Sequence, residues 1–358
     1  MRSREQQGAG TGRSGAARGG AADFGSALAG ALARRAPLFA QRTTDAVRVF
    51  SGGADGVEGV FVDVYGAGAT LIVYEGRAPA WFDAGEQAGV VLRALEPVGV
   101  RAVYVKPFAR DRSRLGGVLP AEATGAVPAA GGAMPEAYTV REHEWNLEVR
   151  LYDGLSTGLF LDQRDNRRWV NRAVKDRAAR REDGGAVAVL NTFAYTCAFS
   201  VAAALGGAQT TSVDVSGRYL EWGKRNFAHN GLDAAQHRFA KMDTFEFFAY
   251  ARRKLLSYDL VILDPPSFAA GNRKKGVRAF SSVSDYSALV HEASGLLRPG
   301  GAIFASTNTQ ELCRPGRLER EIEKALGDEP RWIGLPPAPL DFARDRERFV
   351  ARAFVPRG

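Results

Sequence analysis

The stretch Asn191-Thr192-Phe193-Ala194-Tyr195-Thr196 decides the fold. It follows the apolar run 186–190, which predicts a strand, and forms the small polar turn that leads from this strand into a helix. Such a turn leaves backbone N–H groups facing a ligand at the carboxyl edge of a parallel sheet. A second apolar run, 210–213, ends in Asp214, whose carboxylate can accept hydrogen bonds from a ribose diol. Neither run is followed by the pyrophosphate-binding pattern G-x-G-x-x-G. The pattern therefore favours a nucleoside cofactor without phosphates over a dinucleotide.

Two further strands end in acidic residues. Residues 238–242 end in Asp243, which is placed to accept from an adenine amino group, with Phe193 or Phe239 offering apolar packing to the ring. The next strand leads into Asp264-Pro265-Pro266-Ser267-Phe268, where two prolines stiffen the turn and hold the aromatic ring in place. These pieces fit S-adenosylmethionine, a sulfonium nucleoside whose methyl is passed to a nucleophile lying in line, with a flat-ring substrate beside it.

From about Val47 onward the chain resembles the S-adenosylmethionine-dependent methyltransferases of large-subunit (23S) ribosomal RNA. The resemblance rests on five blocks in the family's order and spacing, 157–167, 191–196, 212–216, 226–232 and 264–268. In that family the block corresponding to 160–164 wraps the cofactor, which implies cofactor roles for Phe160, Gln163 and Arg164. The expected cofactor-binding residues are Phe160, Gln163, Arg164, Asn191, Phe193, Tyr195, Thr196, Asp214, Val215, Asp243, Thr244 and Asp264.

The strand and helix pattern predicts an α/β fold. We expect a Rossmann-like class I methyltransferase domain over 153–358, with a mostly parallel seven-stranded sheet whose antiparallel edge strand is 349–355. A small α+β domain is expected over 23–152, after a disordered Gly/Ala/Arg-rich tail over 1–22. The predicted helices are 81–95, 166–177, 198–205, 217–230, 244–255, 283–297 and 317–326, and the strands before the catalytic half are 47–50, 60–65, 70–74, 102–106 and 147–151.

Length and composition set limits on the function. The chain has 358 residues and a net charge of +8, which favours a polyanionic partner because neutralised phosphates release counterions. Its two cysteines, Cys197 and Cys313, form no disulfide framework and have no zinc spacing, so we expect a cytoplasmic protein without a metal. No apolar run is long enough for a membrane span. An organelle transit peptide stays a minor alternative, and monomer and homodimer both stay open.

The methyl acceptor depends on the cysteines. Methylation of cytosine carbon 5 requires a thiolate that first adds to the ring. The family's cytosine enzymes carry that cysteine just after the strand corresponding to 302–306, where this chain has Thr307-Asn308, and Cys197 stands where the family usually carries glycine. The runs 304–308, 219–222 and 340–344 resemble the guanine-N7 branch more closely. The expected catalytic residues are Asp264, Pro265, Pro266, Phe268 and Asn308.

Guanine N7 is therefore the favoured acceptor, and several alternatives remain. An exocyclic amine and cytosine carbon 5 are other acceptors on RNA. The chain also lacks a segment before Val47 long enough for the family's RNA-binding barrel, which leaves open a methyltransferase of a non-RNA substrate or a catalytically inactive, cofactor-binding RNA chaperone.

The expected partner is large-subunit ribosomal RNA. The basic loop after the aromatic turn predicts phosphate contacts from Arg273, Lys274, Lys275 and Arg278. A second basic cluster, in the small domain, offers further phosphate contacts from Lys106, Arg110, Arg112 and Arg114.

Overall fold

The computed structural model describes residues 16–109, 124–182, 184–271, 278–345 and 349–357, with side chains from residue 24 onward. A five-stranded sheet and a seven-stranded sheet dominate this part of the chain. The helices are α1 (Ala16–Gln41), α2 (Ala84–Leu95), α3 (Arg164–Ala179), α4 (Ala198–Leu205), α5 (Gly217–Ala228), α6 (Thr244–Arg253), α7 (Ser282–Ser294) and α8 (Arg317–Leu326). None of these described helices combines the length and the apolar character needed to cross a membrane.

The five-stranded sheet builds the first half. Its order is β1 (Ala46–Ser51), β2 (Val60–Tyr65), β3 (Gly68–Tyr74), β4 (Ala102–Phe108) and β5 (Ala130–Gly131). β1 to β3 form an antiparallel meander, and β4 pairs parallel to β3 after the crossover through α2. Alternate residues of β2, namely Val60, Val62 and Val64, are buried in the core shared with α1 and α2. The bounds predicted for β1 to β4 differ from these by at most two residues.

Helix α1 begins earlier than the composition predicted. Residues 16–22 belong to α1, so this part of the expected disordered tail was wrong, and residues 1–15 lie outside the described residues. Phe24 and Leu28 are fully buried, and their four-residue spacing places them on one face of α1. The Phe24 ring packs edge-on against Phe50 with ring centroids 5.4 Å apart, which anchors α1 to β1.

The basic cluster expected near β4 is only partly described. Arg110, Arg112 and Arg114 lie outside the described residues. Lys106 is fully buried, and its ammonium donates to the carbonyl oxygen of Gly154. Burial lowers the pKa of Lys106 to about 8. The expectation that Lys106 contacts phosphate was therefore wrong, because its charge does not reach the surface.

A hairpin follows the five-stranded sheet. It consists of β6 (Tyr138–Glu142) and β7 (Trp145–Val149), of which the sequence predicted only the second, displaced by two residues. The hairpin is tied to the catalytic half because the Asn226 side chain accepts from the Glu148 backbone N–H at 2.7 Å. We propose that the domain boundary lies near residue 152, after this hairpin and before the seven-stranded sheet.

The seven-stranded sheet has the predicted parallel core. Its order is β10 (Arg238–Lys241), β9 (Ala208–Asp214), β8 (Val187–Thr192), β11 (Tyr258–Leu263), β14 (Leu297–Thr307), β16 (Val350–Val355) and β15 (Arg331–Ile333). β16 is antiparallel to both its neighbours, as expected for residues 349–355. It is not the outermost strand, because the three-residue strand β15 pairs on its far side.

Helices cover both faces of this sheet. Leu260 and Ile262 of β11 pack in the core shared with α3 and α4, whereas Val261 and Leu263 pack in the core shared with α6, α7 and α8. A strand buried on both faces is an unbroken apolar run, which is typical of a parallel sheet between two helical layers. The carboxyl ends of β8, β9, β11 and β14 consequently meet at one open edge.

Asp341 joins the two halves of the chain. This carboxylate is 1% exposed and lies in the segment between β15 and β16. It pairs with both terminal nitrogens of Arg164, at the start of α3, and accepts from the Arg48 backbone N–H of β1 at 3.0 Å. Arg164 also donates to the carbonyl oxygen of Ala46 at 3.0 Å. One buried ion pair thus holds the small sheet against the first turn of the catalytic half.

We expect Asp341→Ala to lower the free energy of unfolding by about 3–5 kcal/mol, because it leaves the Arg164 guanidinium buried without its carboxylate. Urea denaturation of wild type and variant measures this change. Asp328→Ala, which removes an exposed carboxylate from the same half, should stay within about 0.5 kcal/mol of wild type. A loss below about 1 kcal/mol for Asp341→Ala would contradict the proposed role.

Candidate active site at the carboxyl edge of the sheet

The turn after β8 has a strained backbone. Phe193, Tyr195 and Cys197 all adopt positive φ angles, of 52°, 49° and 61°. Non-glycine residues rarely occupy this region, and such strain persists where the surroundings fix the conformation. Here the Ala194 backbone N–H donates to the carbonyl oxygen of Val213 at 2.9 Å, so the turn is pinned to the end of β9.

Asp214 fixes the same turn from the neighbouring strand. Its carboxylate accepts from the backbone N–H groups of Tyr195 and Ser216, each at 2.8 Å. Burial raises the pKa of Asp214, and the two backbone hydrogen bonds oppose this shift. Each carboxylate oxygen can accept a second hydrogen bond. The remaining acceptor capacity of Asp214 suits a ribose diol, and this contact stays a prediction.

Asp264 lies at the end of β11 in a hydrogen-bonded network. It accepts from Ser306 Oγ at 2.6 Å and from Gln163 Nε2 at 3.1 Å. Gln163 is held in turn by Asn166 Nδ2, which donates to its Oε1 at 2.9 Å. Burial raises the pKa of Asp264 to about 6, the Ser306 hydroxyl opposes this shift, and the charge of Asp162 adds to it. The structure thus brings together the predicted residues Gln163 and Asp264.

Exposed apolar side chains border this edge. Phe160, Val215 and Phe268 are 50%, 46% and 68% exposed. The Phe160 ring lies 5.2 Å from that of Tyr195, which meets the Tyr219 ring edge-on at 4.5 Å. Large exposed apolar groups gathered at one place mark a binding surface rather than a core. Their position suits an adenine ring and a substrate base.

The Asp264 to Phe268 turn is held by α7. Ser282 is fully buried at the start of this helix, where its hydroxyl donates to the Pro266 carbonyl at 2.9 Å and its N–H donates to the Ser267 carbonyl at 3.1 Å. Phe268 begins the short strand β12 (Phe268–Ala269), which pairs with β13 (Phe280–Ser281). The exposed Phe268 ring therefore stands on a fixed backbone. Asn308 lies beside this turn, where its Oδ1 accepts from Ser267 Oγ at 2.8 Å.

Asn191 and Thr196 lie beneath the edge rather than on it. The Asn191 amide is 2% exposed and donates to Ser200 Oγ at 2.9 Å. Thr196 is 1% exposed and donates to the Gly158 carbonyl at 2.6 Å. Both side chains face inward and hold the turn, so a cofactor contact by either residue would use its backbone and stays a prediction.

Arg164 also differs from the expectation. Its guanidinium is buried in the pair with Asp341 and points at the small sheet. Binding the cofactor through that group would break the interdomain contact, so the predicted cofactor role for Arg164 was wrong.

Asp243 and Phe193, which were expected to contact adenine, have partners within the fold as well. Asp243 caps α6, where its Oδ1 accepts from the Phe245 N–H at 2.9 Å, and Thr244 is the buried first residue of that helix. The Phe193 ring packs against that of Phe280, with centroids 5.5 Å apart. An adenine contact by Asp243 requires its second carboxylate oxygen and stays a prediction.

Arg278 is the described member of the predicted RNA-binding loop, since Arg273, Lys274 and Lys275 lie outside the described residues. Its guanidinium pairs with Asp285 at 3.2 Å and lies 4.7 Å from the Phe245 ring centroid. The side chain is 55% exposed, so phosphate can still reach it.

Three site residues were missed from the sequence. Ser306 and Asp162 act on Asp264, and the Tyr219 ring packs edge-on against Tyr195. Ser306 could have been found, because it stands two residues before Asn308 on a strand ending at the same edge. Asp162 and Tyr219 gave no signal beyond their positions in the family-like blocks.

The cysteines are buried thiols. Burial raises the pKa of Cys197 to about 12 and that of Cys313 to about 11, so neither supplies a thiolate near neutral pH. Cys197 caps α4, and its sulfur occupies space that Gly223 of α5 leaves open. A Cβ at Gly223 would lie 2.4 Å from this sulfur.

We expect Gly223→Ala to lower the free energy of unfolding by about 1–3 kcal/mol, because the added methyl overlaps the Cys197 sulfur. The double variant Cys197→Gly/Gly223→Ala should recover most of that loss, since it removes the overlap and the positive-φ strain together. Urea denaturation of both single variants and the double variant gives the coupling energy. Additive effects would contradict this packing.

The comparisons with known proteins agree with this geometry. The family described as S-adenosylmethionine-dependent methyltransferase matches residues 123–326. The solved structure of SMU.776 complexed with SAH has a TM-score of 0.75 and 31% identity, covering 93% of this chain and 80% of that one.

Two curated relatives have names that mention ribosomal RNA. "Putative ribosomal RNA large subunit methyltransferase YwbD" of Bacillus subtilis is 39% identical over 289 residues, which are 80% of this chain and 66% of that protein. "Ribosomal RNA large subunit methyltransferase K/L" of Vibrio cholerae is 35% identical over 217 residues, which are 60% of this chain and 28% of that protein. The chain thus spans just under two thirds of the first relative and about a quarter of the second.

The matched family and the solved relative confirm the predicted fold and cofactor. Asp214, Asp264 and the apolar rim provide acceptors and a ring surface that suit a sulfonium nucleoside. The chain belongs to the S-adenosylmethionine-dependent methyltransferase family.

Proposed function

We propose that this methyltransferase modifies large-subunit ribosomal RNA at a purine ring nitrogen, guanine N7. The observation that carries the acceptor is the exposed Phe268 ring next to Ser267, whose hydroxyl donates to the Asn308 amide, in a chain where burial raises the pKa of both cysteines. The RNA substrate is supported by the names of the curated relatives and by the net charge of +8.

Methylation of a ring nitrogen requires no general base and no nucleophile from the protein. Bound S-adenosylmethionine supplies an electrophilic methyl group; the N7 lone pair forms the new N–C bond, the S–C bonding pair stays on sulfur, and no proton leaves. The protein then has to align the purine and exclude water. The rigid Pro265-Pro266 turn and the Phe268 ring suit that task, because aromatic side chains stack on unpaired RNA bases.

One observation favours a second acceptor. An exocyclic amine must lose a proton on methylation, and Asp264, with a pKa of about 6, can accept a proton near neutral pH. Cytosine carbon 5 has no comparable support, because its chemistry requires a thiolate.

The cellular location and the phosphate contacts of the basic loop are further parts of the proposal. We infer a cytoplasmic location from the two buried free cysteines and the RNA substrate. The phosphate contacts from Arg273, Lys274 and Lys275 remain a proposal from the sequence, next to the half-exposed Arg278.

We expect wild-type protein to transfer labelled methyl from S-adenosylmethionine to unmodified large-subunit RNA, and nucleoside mass spectrometry to identify 7-methylguanosine. Cys197→Ala and Cys313→Ala should keep the same product, because no thiolate takes part. A C5-methylcytidine product that disappears in either variant would overturn the acceptor, and an N2-methylguanosine product would favour the exocyclic amine. Lack of transfer to any ribosomal RNA would overturn the substrate.

We expect the binding preference for S-adenosylmethionine over its demethylated product, whose sulfur is uncharged, to depend on pH. Above pH 6 the Asp264 carboxylate is mostly charged and attracts the sulfonium, whereas below pH 6 it is mostly protonated. The ratio of the two affinities should therefore fall by roughly 5- to 10-fold between pH 7.5 and pH 5. Contacts from Asp214 to the ribose cancel in this ratio, because both molecules carry the same nucleoside.

Calorimetry with both molecules at each pH measures the ratio. Asp264→Asn should give a low ratio that does not change with pH, because its amide carries no charge. A wild-type ratio that stays constant from pH 5 to pH 8 would show that Asp264 does not face the sulfonium.

A further inference from the structure

A single hydrogen bond sets the orientation of the Asn308 amide. Ser267 Oγ donates to Asn308 Oδ1 at 2.8 Å, and the Asn308 side chain is otherwise exposed to solvent. Ser267 is itself fixed, because its carbonyl accepts from the buried Ser282 N–H and the preceding Pro266 carbonyl accepts from the Ser282 hydroxyl. The hydroxyl that holds the amide therefore stands on a rigid turn.

This contact changes what Asn308 offers to a ligand. A free asparagine amide can turn either its oxygen or its nitrogen toward a base, so it accepts or donates equally well. With Oδ1 engaged by Ser267, the opposite end of the amide carries the two N–H groups. Asn308 thus presents donors to the site.

The position of Asn308 relates it to the reacting edge. It directly follows Thr307, the last residue of β14, and stands two residues after Ser306, whose hydroxyl contacts Asp264 at 2.6 Å. Its partner Ser267 is the residue before Phe268, the most exposed aromatic ring at this edge. A purine stacked on Phe268 would have one edge next to the Asn308 N–H groups and near the carboxyl end of β11.

We propose that Asn308, oriented by Ser267, selects a purine with a hydrogen-bond acceptor at position 6, which is guanine. This inference rests on the proposed function and specifies how that site chooses its base. On the N7 side guanine carries the acceptor O6, whereas adenine carries an amino donor at the same place. An amino group there would face the Asn308 N–H groups, leaving donors on both sides without partners. N7 itself keeps its lone pair for the methyl group, since O6 takes the hydrogen bond.

The two residues have different parts in this selection. Asn308 touches the base and determines specificity. Ser267 is a positioning residue, because it acts only through the orientation of the amide. Removing the Ser267 hydroxyl should therefore change the choice of base more than the rate with the correct base.

The test uses the full chain and synthetic RNA fragments that contain the methylated guanosine. At that one position the base is guanine, inosine or 2,6-diaminopurine. Inosine keeps O6, and diaminopurine replaces it with an amino group while N7 is retained. Wild type should methylate guanine and inosine at similar kcat/KM and should be about 10- to 100-fold slower on diaminopurine.

The variants separate orientation from simple contact. Ser267→Ala should reduce the discrimination between guanine and diaminopurine several-fold, and Ser267→Thr, which keeps the hydroxyl, should restore it. Asn308→Asp should shift the preference toward diaminopurine, because a carboxylate only accepts. Ser294→Ala is the matched control, since it removes an exposed serine hydroxyl bonded to the His291 carbonyl at the far end of α7, and its discrimination should equal that of wild type.

Each outcome decides one proposal. Unchanged discrimination in Ser267→Ala and Asn308→Asp, with both variants folded by thermal unfolding and active on guanine, would overturn this inference and leave the proposed function intact. A wild-type preference for diaminopurine over inosine would also overturn it, because the amide oxygen would then face the base. Absence of N7 methylation of guanosine by wild type would instead overturn the proposed function.

Discussion

The buried ion pair between Arg164 and Asp341 is the constraint on which the site depends. Arg164 opens α3 directly after Gln163, the residue that donates to Asp264. Fixing the arginine against β1 therefore also fixes the glutamine that orients the carboxylate. The small sheet thus contributes to the reacting edge through the helix start that it holds, although the core that it shares with α1 and α2 is separate.

Asp214 and Asp264 end strands of the same sheet and have different environments. Two backbone N–H groups bind Asp214, so its carboxylate has a fixed direction and suits a polar, uncharged ribose. Side-chain donors bind Asp264, and burial together with Asp162 shifts its pKa to about 6. An aspartate can therefore serve as a hydrogen-bonding group at one strand end and, at the other, as a carboxylate whose charge changes with pH.

Much of the architecture follows from the sequence, because buried parallel strands are unbroken apolar runs whereas the apolar residues of amphipathic helices recur every three to four positions. The bounds predicted for α4 and α8 agree with the structure to the residue. The strand ends that carry Asp214 and Asp264 were placed correctly for the same reason. The partners of buried polar side chains could not be predicted, because they are distant in the sequence. Arg164, for example, pairs with a residue 177 positions away. Strand β15 has only three residues, which are too few to show a pattern of apolar residues in the sequence.

The two ends of the seven-stranded sheet are short and basic. β10 has four residues, starting with Arg238 and ending with Lys241, and β15 has three, starting with Arg331. The chain after β15 continues into Pro336, Pro337 and Pro339, which lack backbone donors. Unpaired strand backbone invites another chain to add to a sheet, and short length, positive charge and nearby prolines discourage this. The fold thereby resists strand-to-strand aggregation at the high local concentrations of a newly made protein.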